Sequence, residues 1–124
     1  MRFFSGHPHL TEREAQRFAT VDHHQREAFV ALTDDEIIAV GRYEMLENTF
    51  DAEVAFVVAD SWQGRGLGGI LLHELAARAR AVGIRRFVAE TLAENHRMLA
   101  VFTRSGLPTR TSMSQGIVAV TMEL

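Results

Sequence analysis

Three glycines, Gly64, Gly66 and Gly69, stand at G-x-G-x-x-G spacing inside the run QGRGLGG, between a strand-like apolar stretch and a segment of helical periodicity. Residues of this type at this spacing can grip phosphate. Glycine lets backbone N–H groups crowd onto anionic oxygens, and the start of the following helix adds partial positive charge. With Glu90 about 20 residues later at the end of the next strand, the pattern matches a dinucleotide-binding fingerprint on paper. Three features weigh against that use. Residues 60–63 separate the first glycine from its strand, whereas a dinucleotide fold places it almost at the strand end. A doubly wound fold also needs several parallel βαβ units, and a chain of 124 residues with this pattern has room for about one. Finally, one hairpin precedes the loop and another ends the chain. A phosphate-loop NTPase is excluded more simply: all 13 basic residues are arginine, and the lysine it requires is missing.

The other reactive side chains point less clearly. His7 with His9, and His23 with His24, invite a metal reading, but no HExxH or helical i,i+4 histidine pair occurs, so no metal site is expected. Without cysteine there is no thiolate ligand, disulfide or cysteine nucleophile. Ser61 lacks the G-x-S-x-G elbow of a hydrolase.

Periodicity supplies the elements that must hold the loop. Thr11 and Glu14 form a capping-box pair that opens a short helix over 12–18. AFVAL, the turn-prone TDDE and IIAVGRYEML read as an antiparallel hairpin over about 27–46. Glu47, Asn48 and Thr49 then turn the chain into a third strand, DAEVAFVVA, over 51–59. Alternation there puts Glu53, Ala55 and Val57 on one face and Val54, Phe56 and Val58 on the other, and parity does not say which is buried. Leu67, Ile70, Leu71, Leu75, Ala79 and Val82 recur at helical spacing, and Gly83 suits the left-handed residue that ends a helix. Residues 84–91 make a fourth strand. Asn95 caps a second helix with Met98, Leu99 and Phe102 inward and Gly106 at its end, and TRTSM, SQG and IVAVTMEL close a last hairpin. The predicted fold is α/β (α+β): a mixed, mostly antiparallel sheet flanked by helices, with a central strand–Gly loop–helix–strand unit.

Composition narrows the function. The 47% hydrophobic and 23% charged content is that of a globular domain. A net charge of −3 speaks against a nucleic-acid binder. The apolar runs fall far short of the ~20 residues of a membrane span. No basic, then apolar, leader opens the chain, and the absence of cysteine suits a reducing compartment, so the expected location is cytoplasmic.

The same loop also satisfies Q/R-x-x-G-x-G/A through Gln63, Gly66 and Gly68. Joined to AEVAFVV before it and N-x-x-M-L-x-V-F after it, the stretch through TRSGL resembles the core of GNAT acetyltransferases, most of all bacterial protein-lysine acetyltransferases. The resemblance implies acetyl-CoA as co-substrate. Its pantetheine arm would pair with the backbone of Phe56, Val57 and Val58, where two strands splay apart. Its pyrophosphate would lie beside Gln63 on the amides of Gly64, Arg65, Gly66, Leu67, Gly68 and Gly69, with Asn95 lining the cofactor from the next helix. The resemblance also makes Glu53 the base that relieves the attacking amine of its proton. An amine with a reference pKa of ~10.4 is almost wholly protonated at neutral pH, and an ammonium cannot attack a thioester. The acceptor is then a primary amine, on a protein lysine or a small molecule.

Two departures from the family pattern leave an alternative open. Phe102 stands where many members carry a tyrosine that protonates the leaving thiolate, so solvent, Thr103 or Ser105 would have to serve. Members also begin with a further strand and helix, whereas this chain opens at Met1-Arg2-Phe3-Phe4, apparently inside that region. The expectation is one domain over 1–124 without that first strand and helix, its exposed edge open to a second copy in a homodimer. The alternative is a non-catalytic CoA-binding or regulatory domain acting with a partner. Among the remaining residues, Trp62 reads as packing ahead of an adenine platform. Glu90 reads as an ion pair with Arg85 or Arg86 ahead of an acceptor contact, and His73 as exposed.

Overall fold

The computed structural model describes residues 2–5, 26–47 and 49–124. The helix expected over 12–18, His7, His9, Asp22, His23, His24 and Asn48 lie outside the described residues. In chain order the elements are β1 (Arg2–Ser5), β2 (Arg26–Thr33), β3 (Glu36–Met45), β4 (Asp51–Val58) and a 3-10 turn (Asp60–Trp62). They continue with α1 (Leu67–Ala81), β5 (Arg86–Leu92), α2 (His96–Thr103), β6 (Thr109–Ser114) and β7 (Ile117–Glu123).

Local chemistry accounts for most of these boundaries. Asp34 and Asp35 both have positive φ (48° and 63°), the backbone of a tight two-residue hairpin whose twist matches its strands. Gln115 and Gly116 repeat that geometry between β6 and β7. α1 ends in a Schellman arrangement, with Gly83 N donating to Arg80 O and Ile84 N to Ala79 O, and Gly83 at φ 88°. α2 begins on Asn95, whose Oδ1 accepts from the backbone N–H of Met98 at 3.1 Å.

The strands form one mixed sheet in the order β1-β2-β3-β4-β5-β7-β6, antiparallel at every junction except β4–β5. β1 pairs along β2 from Arg2↔Leu32 to Ser5↔Phe29. β2 is therefore an inner strand, and the edges among the described residues are β1 and β6. α1 lies across β2, β3 and β4 and also contacts α2. One sheet face and the helices close the core: Tyr43, Val54, Phe56, Phe87, Val120 and Met122 meet Leu71, Leu75 and Ala79 of α1.

Candidate active site

Burial decides the parity that alternation left open. Ala52, Val54 and Phe56 face the helices, so Glu53 and Val57 point from the opposite face and are exposed. Phe56 is held by a missing side chain: a Cβ on Gly41 would stand 2.9 Å from the Phe56 ring and 3.1 Å from Leu71 Cβ. Phe102 packs on its other side with ring centroids 6.1 Å apart.

β4 and β5 pair over only three positions, Asp51↔Arg86, Ala52↔Phe87 and Glu53↔Val88. Beyond that point each strand stays pinned on its far side. β4 continues along β3 to Val58↔Ala39, and β5 along β7 to Leu92↔Ile117. Nothing pairs residues 54–58 with 89–92, so the sheet forks and backbone groups face the opening. Glu53 stands at the last paired position before the fork.

The glycine loop lies at the end of the open β4 arm. Gly64 and Gly66 have φ of 76° and 83°, which only glycine adopts at little cost. Gly68 has a different duty, since a Cβ there would come within 2.8 Å of Val101 Cγ2, so it lets α1 and α2 approach. A Cβ on Gly69 would meet nothing within 4 Å. No side chain caps the start of α1, and its first turn carries no acid. The first amides of α1 are thus left for an anion.

The open β4 arm, the loop and α2 line a cleft of about 630 Å³; Glu53 and the β5 arm lie outside its lining. Of the residues singled out from sequence as cofactor-binding, Phe56, Val57, Val58, Gln63, Gly64, Gly66, Leu67, Gly68, Gly69 and Asn95 all line it. Arg65 does not, and its guanidinium lies 4.6 Å above the Trp62 ring. Trp62 itself forms part of the wall while packing against the core. Sequence reasoning missed Asp60, Arg97, Met98, Ala100, Val101 and Arg104 as lining residues. The available signal was the helical spacing of Arg97, Ala100, Val101 and Arg104, which sets them on one face.

Gln63 links the parts. Its Nε2 donates to Val58 O and to Asp60 Oδ1, both at 3.3 Å, and its Oε1 accepts from Arg97 Nη1 at 3.0 Å. The ion pairs expected of Glu90 do not form. Arg86 engages Asp51 at 3.0 Å and Glu123 at 3.8 Å, and Arg85 lies over the Phe50 ring at 4.7 Å. The hydrogen bond from Arg86 to Asp51, with the charge of that carboxylate, raises the Arg86 pKa. Glu90 shares the exposed face with Glu53, because Glu53↔Val88 sets the register. The hydroxyls of Thr103 and Ser105 lie outside the cleft lining; Thr103 donates to Leu99 O and Ser105 accepts from Leu107 N. His73 is exposed on α1. Among the described residues no three His, Asp or Glu side chains are grouped to hold a metal ion, and no helix is long and apolar enough to cross a membrane.

The profile of the acetyltransferase (GNAT) family matches residues 1–107. The chain belongs to the GNAT family. The chain is 44% identical over 59 residues to an acetyltransferase, Pat, of Mycolicibacterium smegmatis, covering 48% of this chain and 18% of that protein. It is 37% identical over 82 residues to an acetyltransferase of Pseudomonas aeruginosa, covering 63% of this chain and 44% of that protein. The chain thus spans less than half the length of either relative. Among solved structures, the GNAT domain of S. lividans PAT superposes with a TM-score of 0.77 at 36% identity, covering 93% of this chain and 70% of that one. In this GNAT chain the loop glycines divide their work between backbone conformation (Gly64, Gly66), helix packing (Gly68) and open access (Gly69).

Proposed function

We propose that the chain is an N-acetyltransferase that moves an acetyl group from acetyl-CoA to a primary amine, on a protein lysine or a small molecule, within one GNAT domain. The observation that carries this reading is the fork: β4 and β5 separate immediately after Glu53↔Val88, beside a cleft walled by uncapped α1 amides. The residues present fit the coenzyme. The open backbone of residues 56–58 suits the amides of a pantetheine arm. The positive-φ loop and the α1 start suit a diphosphate, and Gly69 leaves room for it. When bound, the coenzyme supplies an acetyl group activated as a thioester.

Glu53, exposed at the apex of the fork, takes the proton of the incoming ammonium, directly or through one water, so that the nitrogen lone pair becomes available. Backbone N–H groups at the opening of β4 stabilise the charge that develops on the carbonyl oxygen. Phe102 has no ionisable proton to donate and is buried, so the departing thiolate takes its proton from solvent. A thiol of pKa ~8.5 leaves tolerably in that form.

The buried Phe102 also gives substance to a second reading, a coenzyme-binding domain without turnover. Thiol release from acetyl-CoA with a panel of amines and lysine peptides, beside a calorimetric titration, separates the two. Transfer that depends on Glu53 supports the enzyme; binding with no thiol release across the panel supports the second reading; no binding at all overturns both.

A further inference from the structure

Resting on the coenzyme reading above, we propose that Arg97 and Arg104 form a two-point anion clamp on the α2 wall. The clamp makes binding depend on the terminal ribose phosphate of coenzyme A as well as on its diphosphate. Both arginines line the cleft with Ala100 and Val101 between them, one continuous stripe along α2 that ends on its C-capping residue, Arg104. Seven residues of helix separate their Cα atoms by about 10 Å along the axis.

Charge and place together set this pair apart. Arg26, Arg78, Arg86 and Arg110 are ion-paired, Arg65 and Arg85 lie on aromatic rings, and Arg42 and Arg80 lie outside the cleft lining. Arg97 and Arg104 engage no carboxylate among the described residues. Asp60, the acidic member of the lining, is hydrogen-bonded to the Gln63 amide. In a chain of net charge −3, the cleft wall is therefore positive.

The position of Arg97 runs against local preference. It stands in the first turn of α2, where no acid offsets it and where the helix dipole disfavours a cation. What holds it at the mouth of the cleft is Gln63 Oε1 at 3.0 Å, with the Gln63 amide itself fixed by Val58 O and Asp60. Gln63 is accordingly a positioning residue, aiming Arg97 at the loop where the diphosphate amides gather. One diphosphate is served by those amides and Arg97. Arg104, two turns further along α2, calls for a second anionic group, and coenzyme A carries one on its ribose. The donor class that follows is an acyl group on free coenzyme A, not one on protein-bound phosphopantetheine, which has a single phosphate and no ribose.

Calorimetric titrations with coenzyme A, dephospho-coenzyme A and pantetheine test the clamp. The proteins compared are the wild type, Arg97→Gln, Arg104→Gln, Gln63→Met and the Gln63→Met/Arg97→Gln double variant, with matched melting temperatures as the folding control. The wild type should prefer coenzyme A over the dephospho form by about tenfold or more, the worth of one charge-assisted contact. Arg104→Gln should erase that preference and leave dephospho-coenzyme A binding unchanged. Arg97→Gln should weaken both ligands alike, and Gln63→Met should weaken both by less and add nothing to Arg97→Gln in the double variant. Equal wild-type binding of the two coenzymes, or a preference surviving in Arg104→Gln, overturns the clamp and leaves the coenzyme reading intact. A folded wild type that binds neither coenzyme sinks both.

Discussion

Glu27 on β2 and Glu53 on β4 are both strand carboxylates, and the two regions of the sheet that hold them differ in every physical respect. Glu27 is 2% exposed, faces α1, and meets Arg78 at 3.2 Å and the Ala28 amide at 3.2 Å, with Tyr43 as its cross-strand partner. Glu53 is exposed on the other face, at the last paired position before the strands part. Its cross-strand neighbour is Glu44, which Arg26 already engages at 3.2 Å. A carboxylate that is buried and paired is spoken for, and removing it leaves charge behind without a counterion. A carboxylate left open beside a fork is available to take a proton. The same residue type therefore serves architecture in one region and chemistry in the other, and environment, not identity, makes the difference.

The largest expected contrast comes from the carboxylates themselves. Glu53→Gln should lower acetyl transfer by tenfold or more, at least about 1.4 kcal/mol in the barrier, with coenzyme affinity and melting temperature unchanged. Normal turnover in that variant would remove Glu53 from the mechanism. Glu27→Ala should do the reverse, destabilising the fold by about 2–3 kcal/mol in denaturant titration while the folded fraction keeps its activity. The value lies below the roughly 3–5 kcal/mol of a fully buried broken pair because Arg78 is half exposed and regains water.

Neighbouring glycines sharpen the comparison on a smaller scale. Gly68→Val would force side-chain atoms onto Val101 and should cost about 2 kcal/mol of stability through overpacking. Gly69→Ala meets no protein atom and should stabilise the fold by about 0.5–1 kcal/mol through helix propensity, while weakening coenzyme binding as its methyl group enters the cleft. Unchanged coenzyme affinity in Gly69→Ala would move the diphosphate away from the start of α1.

The smallest effect belongs to Tyr43. Its hydroxyl is buried without a hydrogen-bond partner, so Tyr43→Phe should change stability at neutral pH by under about 1 kcal/mol. Burial, with the charge of Glu27, pushes the phenol up to about 12 from 10.0. The folded chain keeps a proton that the unfolded chain loses above pH 10. The stability linked to that proton is fully present below pH 10 and falls as pH rises toward 12, by at most about 1.4 kcal/mol per pH unit. The chain has no lysine and no second tyrosine to confuse this window. Melting curves from pH 9 to 12 should slope for the wild type and flatten for Tyr43→Phe.

Much of this was legible before any coordinates. The Asp34–Asp35 hairpin, the Gly83 helix end, the Asn95 cap and the loop glycines each rest on chemistry contained within a few consecutive residues, so the sequence announces them directly. β1 was not legible. RFFS is too short to declare a period, and what makes it a strand is the pairing offered by residues 29–32 of β2. The ion pair expected between Glu90 and Arg85 or Arg86 failed for a related reason. Sequence proximity suggested it, but Asp51 and Glu123 reach Arg86 across neighbouring strands.

By itself the sequence determined the order of elements from β2 onward, their turns and caps, and the family to which the loop belongs, because period, φ preference and capping are short-range. Only the tertiary structure decided which face of β4 is buried, where β4 and β5 part, and that Gln63 and Arg97, 34 residues apart, meet across the cleft. Those outcomes depend on contacts between segments distant in the chain, settled when the whole sheet and its helices pack together.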